Sequence, residues 1–106
     1  MPYSVVFSPE ASDRLEALLL YIASESSLPV ASRYVEAVVA TCENLFLFPL
    51  RGVAREDIRP GLRVTHHKGR TVIAYVVDDV ASVVSIFGVF YSGQSLEGFW
   101  SDNQER

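Results

Sequence analysis

Val83-Val-Ser-Ile-Phe-Gly-Val-Phe-Tyr-Ser-Gly-Gln94 is the stretch that decides the fold class of this chain. It opens as an almost unbroken β-branched and aromatic run, the composition of a buried strand. Ser92-Gly93 then turns or stops the strand. Just upstream lies a second such run, Thr71-Val-Ile-Ala-Tyr-Val-Val77, and Asp78-Asp79 between the two predicts a tight reversal. Together they read as a β-hairpin. Neither strand alternates as a half-exposed sheet would. In the first, Ile73, Tyr75 and Val77 share one face and Val72, Ala74 and Val76 the other. In the second, Val83, Phe87, Val89 and Tyr91 oppose Val84, Ile86 and Phe90. One layer of helices covers one face only, and the pattern leaves open which. The surplus apolar face predicts a partner.

The length of 106 residues predicts a single domain spanning 1–106. Such a chain buries about two thirds of the surface its unfolded form exposes, enough for a real core. Its hydrophobic fraction of 49% and mean hydropathy of +0.20 are rich for that size and suit a chain with an interface. No apolar run approaches the roughly 20 residues that span a membrane, so no membrane partner is expected. Met-Pro-Tyr-Ser leads straight into a strand, with no signal peptide read there. The one cysteine, Cys42, cannot form an internal disulfide and sits among apolar helical positions, as a buried thiol does. A cytoplasmic location is expected.

Net charge is −4, which argues against a general nucleic-acid binder and against direct DNA binding. The charge is unevenly placed. Arg51, Arg55, Arg59, Arg63, Lys68 and Arg70 face only Glu56 and Asp57 within one twenty-residue stretch, a local balance of +4 that leaves −8 elsewhere. This reads either as a basic surface on an acidic body or as a solvated loop whose arginines pair with local acids.

Upstream, Tyr3-Ser-Val-Val-Phe7 predicts a first strand. Ser8-Pro9-Glu10 predicts a helix start, with a capping hydroxyl, a proline at the first position and an acid at the positive end of the dipole. Ala11, Leu15, Leu18, Leu19 and Ile22 give that helix its apolar stripe to about Ser26, with Arg14 off it. Ser26-Ser-Leu-Pro29 interrupts the pattern. Ala31, Tyr34, Val35, Val38, Cys42, Leu45 and Phe46 mark a second helix, ended by Phe48-Pro49. The two form an antiparallel hairpin. Leu50–Leu62 reads as the main loop, closed by a type II turn at Arg59-Pro60-Gly61-Leu62. Leu62–Lys68 alternates as a strand and Gly69-Arg70 turns it into the central hairpin. Ser101–Arg106 reads as a disordered tail. The predicted class is α+β, in the order β-α-α-β-β-β, with a helical hairpin packed on a mainly antiparallel sheet.

Several pieces in this order carry a resemblance: Phe7-Ser-Pro-Glu-Ala11, Tyr21-Ile22-Ala23, Ala31-Ser-Arg-Tyr34, Leu45-Phe-Leu-Phe-Pro-Leu-Arg-Gly52, Asp57-Ile-Arg-Pro-Gly-Leu-Arg63, Arg70-Thr-Val-Ile-Ala-Tyr75 and Gly88-Val-Phe-Tyr-Ser-Gly-Gln94. From Tyr3 to about Glu97 the chain resembles the RelE/ParE superfamily of toxins from bacterial type II toxin–antitoxin systems, in its ParE-like branch. The resemblance implies a toxin silenced by a cognate antitoxin that lays a C-terminal segment over it. ParE-like members poison DNA gyrase and RelE-like members cut messenger RNA on the ribosome.

For a nuclease, the resemblance points to Arg63, Arg70 and Tyr91, with His66 and His67 nearby. Arginine and tyrosine titrate far from neutrality and exchange protons only when strongly tuned. The chain is acidic, and the lysine-rich central strands of the ribonuclease branch are missing. The expected mode of action is therefore binding, with gyrase engaged through Arg59, Arg63, Arg70, Tyr91 and Gln94. The bland alternatives are arginines paired with carboxylates and a core or interface tyrosine. For the antitoxin, the expected contacts are Leu18, Tyr21, Tyr34, Val72, Ala74, Val76 and Phe90, and the toxin alone is expected to be poorly soluble. No cofactor and no metal are expected, since adjacent histidines on a strand point to opposite faces.

Overall fold

Ser8 both ends the first strand and starts the first helix. Its side-chain oxygen accepts a hydrogen bond from the Ala11 amide at 3.0 Å, and Pro9 follows in the first turn, where no amide donor is needed. In the computed structural model, which describes residues 3–91, β1 is Ser4–Phe7 and α1 is Pro9–Glu25. Ser27 caps α2, Leu28–Glu43, by accepting from the Val30 amide at 3.3 Å. The helix stops earlier than the Phe48-Pro49 signal suggested, because Asn44–Phe46 tightens into a 3-10 turn that keeps Leu45 in the core. Among the described residues no helix is long and apolar enough to cross a membrane. The tail 101–106 and Gln94 lie outside the described residues.

Four more strands complete the sheet: β2 Val53–Ala54, β3 Leu62–His67, β4 Thr71–Asp78 and β5 Val83–Phe90. Their spatial order is β1-β5-β4-β3-β2, with β1 parallel to β5 and every other pair antiparallel. The α+β class and the packed helical hairpin are as expected. β2 is an addition to the predicted order. It is two residues long, too short for a periodic signal, and exists through its pairing of Val53 with Val64 and Ala54 with Arg63.

The turns follow local chemistry. At Arg59–Leu62 the Leu62 amide donates to the Arg59 carbonyl at 3.1 Å, with Gly61 at φ +81°. The β3–β4 reversal centres on Lys68-Gly69, both at positive φ, one residue earlier than Gly69-Arg70. The β4–β5 reversal is wider than the expected Asp78-Asp79 turn. It runs over residues 79–82, and the Asp78 carboxylate accepts from the Val80 and Ala81 amides, each at 3.0 Å.

The helices take the Ile73–Tyr75 face. Ile73, Tyr75, Val84, Ile86 and Val89 pack with Ala11, Leu18, Val38, Cys42 and Leu45. Leu62, Val64, Ala74 and Phe90 form a second cluster with half-buried Val72, Val76 and Phe87 around it. A bulge in β5 corrects the simple alternation read from the sequence. Tyr75 pairs with Ile86 but Ala74 with Gly88, so Phe87 is the extra residue. Val89 therefore rejoins Ile86 under the helices, and Phe90 passes to the other face. Cys42 is buried, and burial, seconded by Glu43, pushes its thiol pKa up to about 12.

Candidate functional site

Where β4 begins and β5 ends, the sheet and the helical hairpin leave a groove of about 590 Å³ between them. α1 contributes Leu18, Tyr21 and Ile22, and α2 contributes Val30 and Tyr34. Arg70 and Thr71 come from the start of β4, and Tyr91 follows β5. Leu18 and Ile22 are one helical turn apart, with Tyr21 between them, and this spacing puts all three on one side of α1. The rings of Tyr21 and Tyr91 meet at 5.3 Å between centroids. The Tyr34 hydroxyl and Thr71 Oγ1 hydrogen-bond at 2.7 Å, tying α2 to the sheet at the floor of the groove.

Five residues singled out from the sequence thus share one groove: Leu18, Tyr21, Tyr34, Arg70 and Tyr91. The others do not join them. Arg63 lies at the opposite end of β3 from His67, about 13 Å of strand away. Its guanidinium donates to the carbonyls of Leu50 and Gly52. Arg59 sits on the other sheet face with its guanidinium 5.5 Å from the Phe87 ring. The three arginines of the expected basic edge are therefore spread over both ends of β3 and both faces. Val72 and Val76 lie half-buried on the face away from the helices. Leu18, Ala74 and Phe90 are buried in the free chain, Leu18 in the wall of the groove.

Arg14 was missed by the sequence reading. It stands one helical turn before Leu18, and its guanidinium lies 4.4 Å from the Phe90 ring centroid. Burial lowers its pKa from the ordinary arginine value, and the neighbouring Tyr91 opposes that shift. The signal available was its spacing from Leu18 and Tyr21, four and seven residues on, which belongs to one helix face.

The two histidines divide as strand geometry requires. His66 is exposed and His67, 8% exposed, faces α2. The Thr41 hydroxyl donates to the Ala37 carbonyl at 3.1 Å, and His67 Nδ1 lies 2.7 Å from the same oxygen. With that proton assignment, Nδ1–H donates and Nε2 is left as a buried acceptor with no partner among the described residues. Burial, and then Lys68, hold the His67 pKa below the usual imidazole range. Its ring packs edge-on to Tyr34 at 5.4 Å. Among the described residues no cluster of His, Cys, Asp or Glu is placed to hold a metal ion. The groove offers one exposed arginine, three phenols and aliphatic walls, a lining suited to an apolar segment that carries a negative group.

The comparisons agree with this architecture. A family model described as the ParE toxin of the parDE type II toxin–antitoxin system matches residues 5–96. A chain of the chromosomal ParDE system of P. aeruginosa superposes with a TM-score of 0.73 at 17% identity, over 84% of this chain and 95% of that one. A chain of the RelBE2 toxin–antitoxin complex of Mycobacterium tuberculosis gives 0.64 at 26% identity, over 87% of this chain and all of that one. No curated protein sequence matches significantly. With a family model spanning residues 5–96 and the same two helices on a mixed sheet, this chain belongs to the ParE toxins of type II toxin–antitoxin systems.

Proposed function

We propose that this toxin is neutralised by a cognate antitoxin and that, when free, it inhibits DNA gyrase by binding. The observation that carries the binding mode is the engagement of Arg63. A nuclease built on Arg63, Arg70 and Tyr91 needs cations on one phosphate and a proton acceptor beside it. Here Arg63 is occupied by the carbonyls of Leu50 and Gly52, remote from the groove that holds Arg70 and Tyr91. The ParE family match and the net charge of −4 support the same choice. Target contacts are assigned to Arg70 and Tyr91, joined by Arg59 and Gln94, with Arg63 positioning the 50–52 loop. Tyr21 and Tyr34 line the groove with Arg70 and Tyr91, so an antitoxin segment lying there covers the target contacts and silences the toxin. Val72 and Val76 extend that contact on the far face.

A ribosome-dependent endoribonuclease is the second reading, favoured by the 26% identity to a chain of the RelBE2 complex. A supercoiling assay with purified gyrase separates the two. Inhibition that Arg70→Glu abolishes and Tyr91→Phe leaves intact is the expected result. Unaffected gyrase together with cleavage of ribosome-bound message overturns the proposal in favour of the nuclease.

A further inference from the structure

The chain between α2 and β2 exposes more apolar surface than a free loop warrants. Leu47, Phe48, Leu50 and Val53 are 59%, 64%, 58% and 67% exposed within seven consecutive positions, and Arg51 is exposed among them. This is not a slack loop. Leu45 anchors its start in the core, and the Arg51 amide donates to the Phe48 carbonyl at 3.2 Å, closing a tight turn. Arg63 holds the carbonyls of Leu50 and Gly52, and the Gly52 amide donates to the hydroxyl of buried Tyr75 at 2.9 Å. Val53 then enters β2, the edge strand of the sheet. Two core side chains thus fix a ridge whose own side chains point into water. Such preorganisation lowers the ordering cost of binding, and soluble domains rarely keep contiguous apolar patches exposed without a use.

We propose that this ridge docks onto the protein the toxin acts on, at an acidic-rimmed apolar pocket that receives Phe48 and Leu50. The inference rests on the binding mode proposed above and adds a second contact surface to it. Three of the four apolar side chains are aliphatic. They gain by burial in a protein pocket and cannot stack on bases, which turns the choice away from nucleic acid. Charge selects the rim. Arg51 is exposed within the ridge, and residues 47–53 carry no acidic side chain, so the ridge complements an acidic partner. Two copies meeting ridge to ridge would instead set Arg51 against Arg51. The ridge also lies at the Arg63 end of β3, away from the Arg70–Tyr91 groove, so the toxin has two separate contact surfaces.

The test uses the full chain, expressed without antitoxin in a bacterial host, as wild type and as Phe48→Ser, Leu50→Ser, Arg51→Glu and Val53→Ser. Thermal melts serve as the folding control. All four sites are exposed, so the melts are expected to match wild type. Growth arrest should need about tenfold more toxin for Phe48→Ser and Leu50→Ser, the loss typical of truncating a central anchor. Arg51→Glu should weaken it further. Arrest at wild-type levels in folded variants overturns the inference, as does a wild-type chain that arrests nothing. So does a wild-type dimer in sedimentation that these variants dissociate, since the ridge then serves self-association. Supercoiling assays run in parallel separate the two proposals. Ridge-dependent arrest with unaffected gyrase keeps the ridge and removes gyrase as its target. Gyrase inhibition untouched by the ridge variants does the reverse.

Discussion

Gly52→Ala is a one-methyl change with a large expected effect. A Cβ at this position would stand 2.6 Å from the Tyr75 hydroxyl oxygen and 2.8 Å from the Val64 carbonyl oxygen. The first atom belongs to a fully buried side chain and the second to the backbone of β3, so neither can swing aside. The strain is relieved only by moving the 50–53 segment off the sheet. That movement breaks the Gly52–Tyr75 hydrogen bond and strands a buried hydroxyl. Overpacking and the lost bond together cost about 3 kcal/mol. For a domain of this size that lowers the melting temperature by on the order of 10–20 °C, read by circular dichroism or calorimetry. In a Tyr75→Phe background the same methyl costs less, because one of its two close approaches is gone, and a double-mutant cycle measures the difference. A melt within about 2 °C of wild type would refute the reasoning, since the loop would then be free to give.

Other outcomes follow from single groups. Ser8→Ala removes the acceptor for the Ala11 amide and is expected to cost about 1 kcal/mol, seen as a lower denaturant midpoint with unchanged slope. Leu18→Ala opens a cavity under α1 and is expected to cost about 2–5 kcal/mol by the same measurement. With its thiol buried and its pKa pushed up to about 12, Cys42 should resist an aromatic disulfide reagent in the folded chain and react after denaturant is added; rapid native labelling would contradict the buried placement. His67 is held below the usual imidazole range by burial first and Lys68 second, so the unfolded chain takes up a proton more readily. Stability is therefore full above about pH 6.5 and falls as the pH drops from there toward the lowered folded value. His67→Gln should flatten that fall; equal pH dependence in both chains would show that His67 does not cause it.

Arg63 shows how far a sequence can place a functional group. As a residue type on an alternating strand beside other arginines, it read as part of a basic edge. Pairing of β3 with β4 sets it opposite Tyr75, where its guanidinium is consumed in holding the 50–52 loop. Arg70, three residues beyond the strand, was equally ambiguous and proved to line the groove with Tyr91. Nothing in the local pattern distinguishes them, because the distinction depends on which backbone segment returns to each.

What the sequence determined alone was everything written in local periodicity and turn chemistry. Ser8-Pro9 and Ser27-Leu28-Pro29 start the helices because a capping hydroxyl and a proline suit only that end. The β-branched runs are strands, Pro60-Gly61 is a turn, and their order was enough to identify the superfamily. The tertiary structure alone decided which of two equally apolar sheet faces meets the helices. It also placed the β5 bulge that carries Phe90 across the sheet, created β2, and gathered Tyr21, Tyr34, Arg70 and Tyr91 around one groove. These features depend on register between segments far apart in the chain. A register is fixed by the whole packed core at once, and no short stretch of residues carries it.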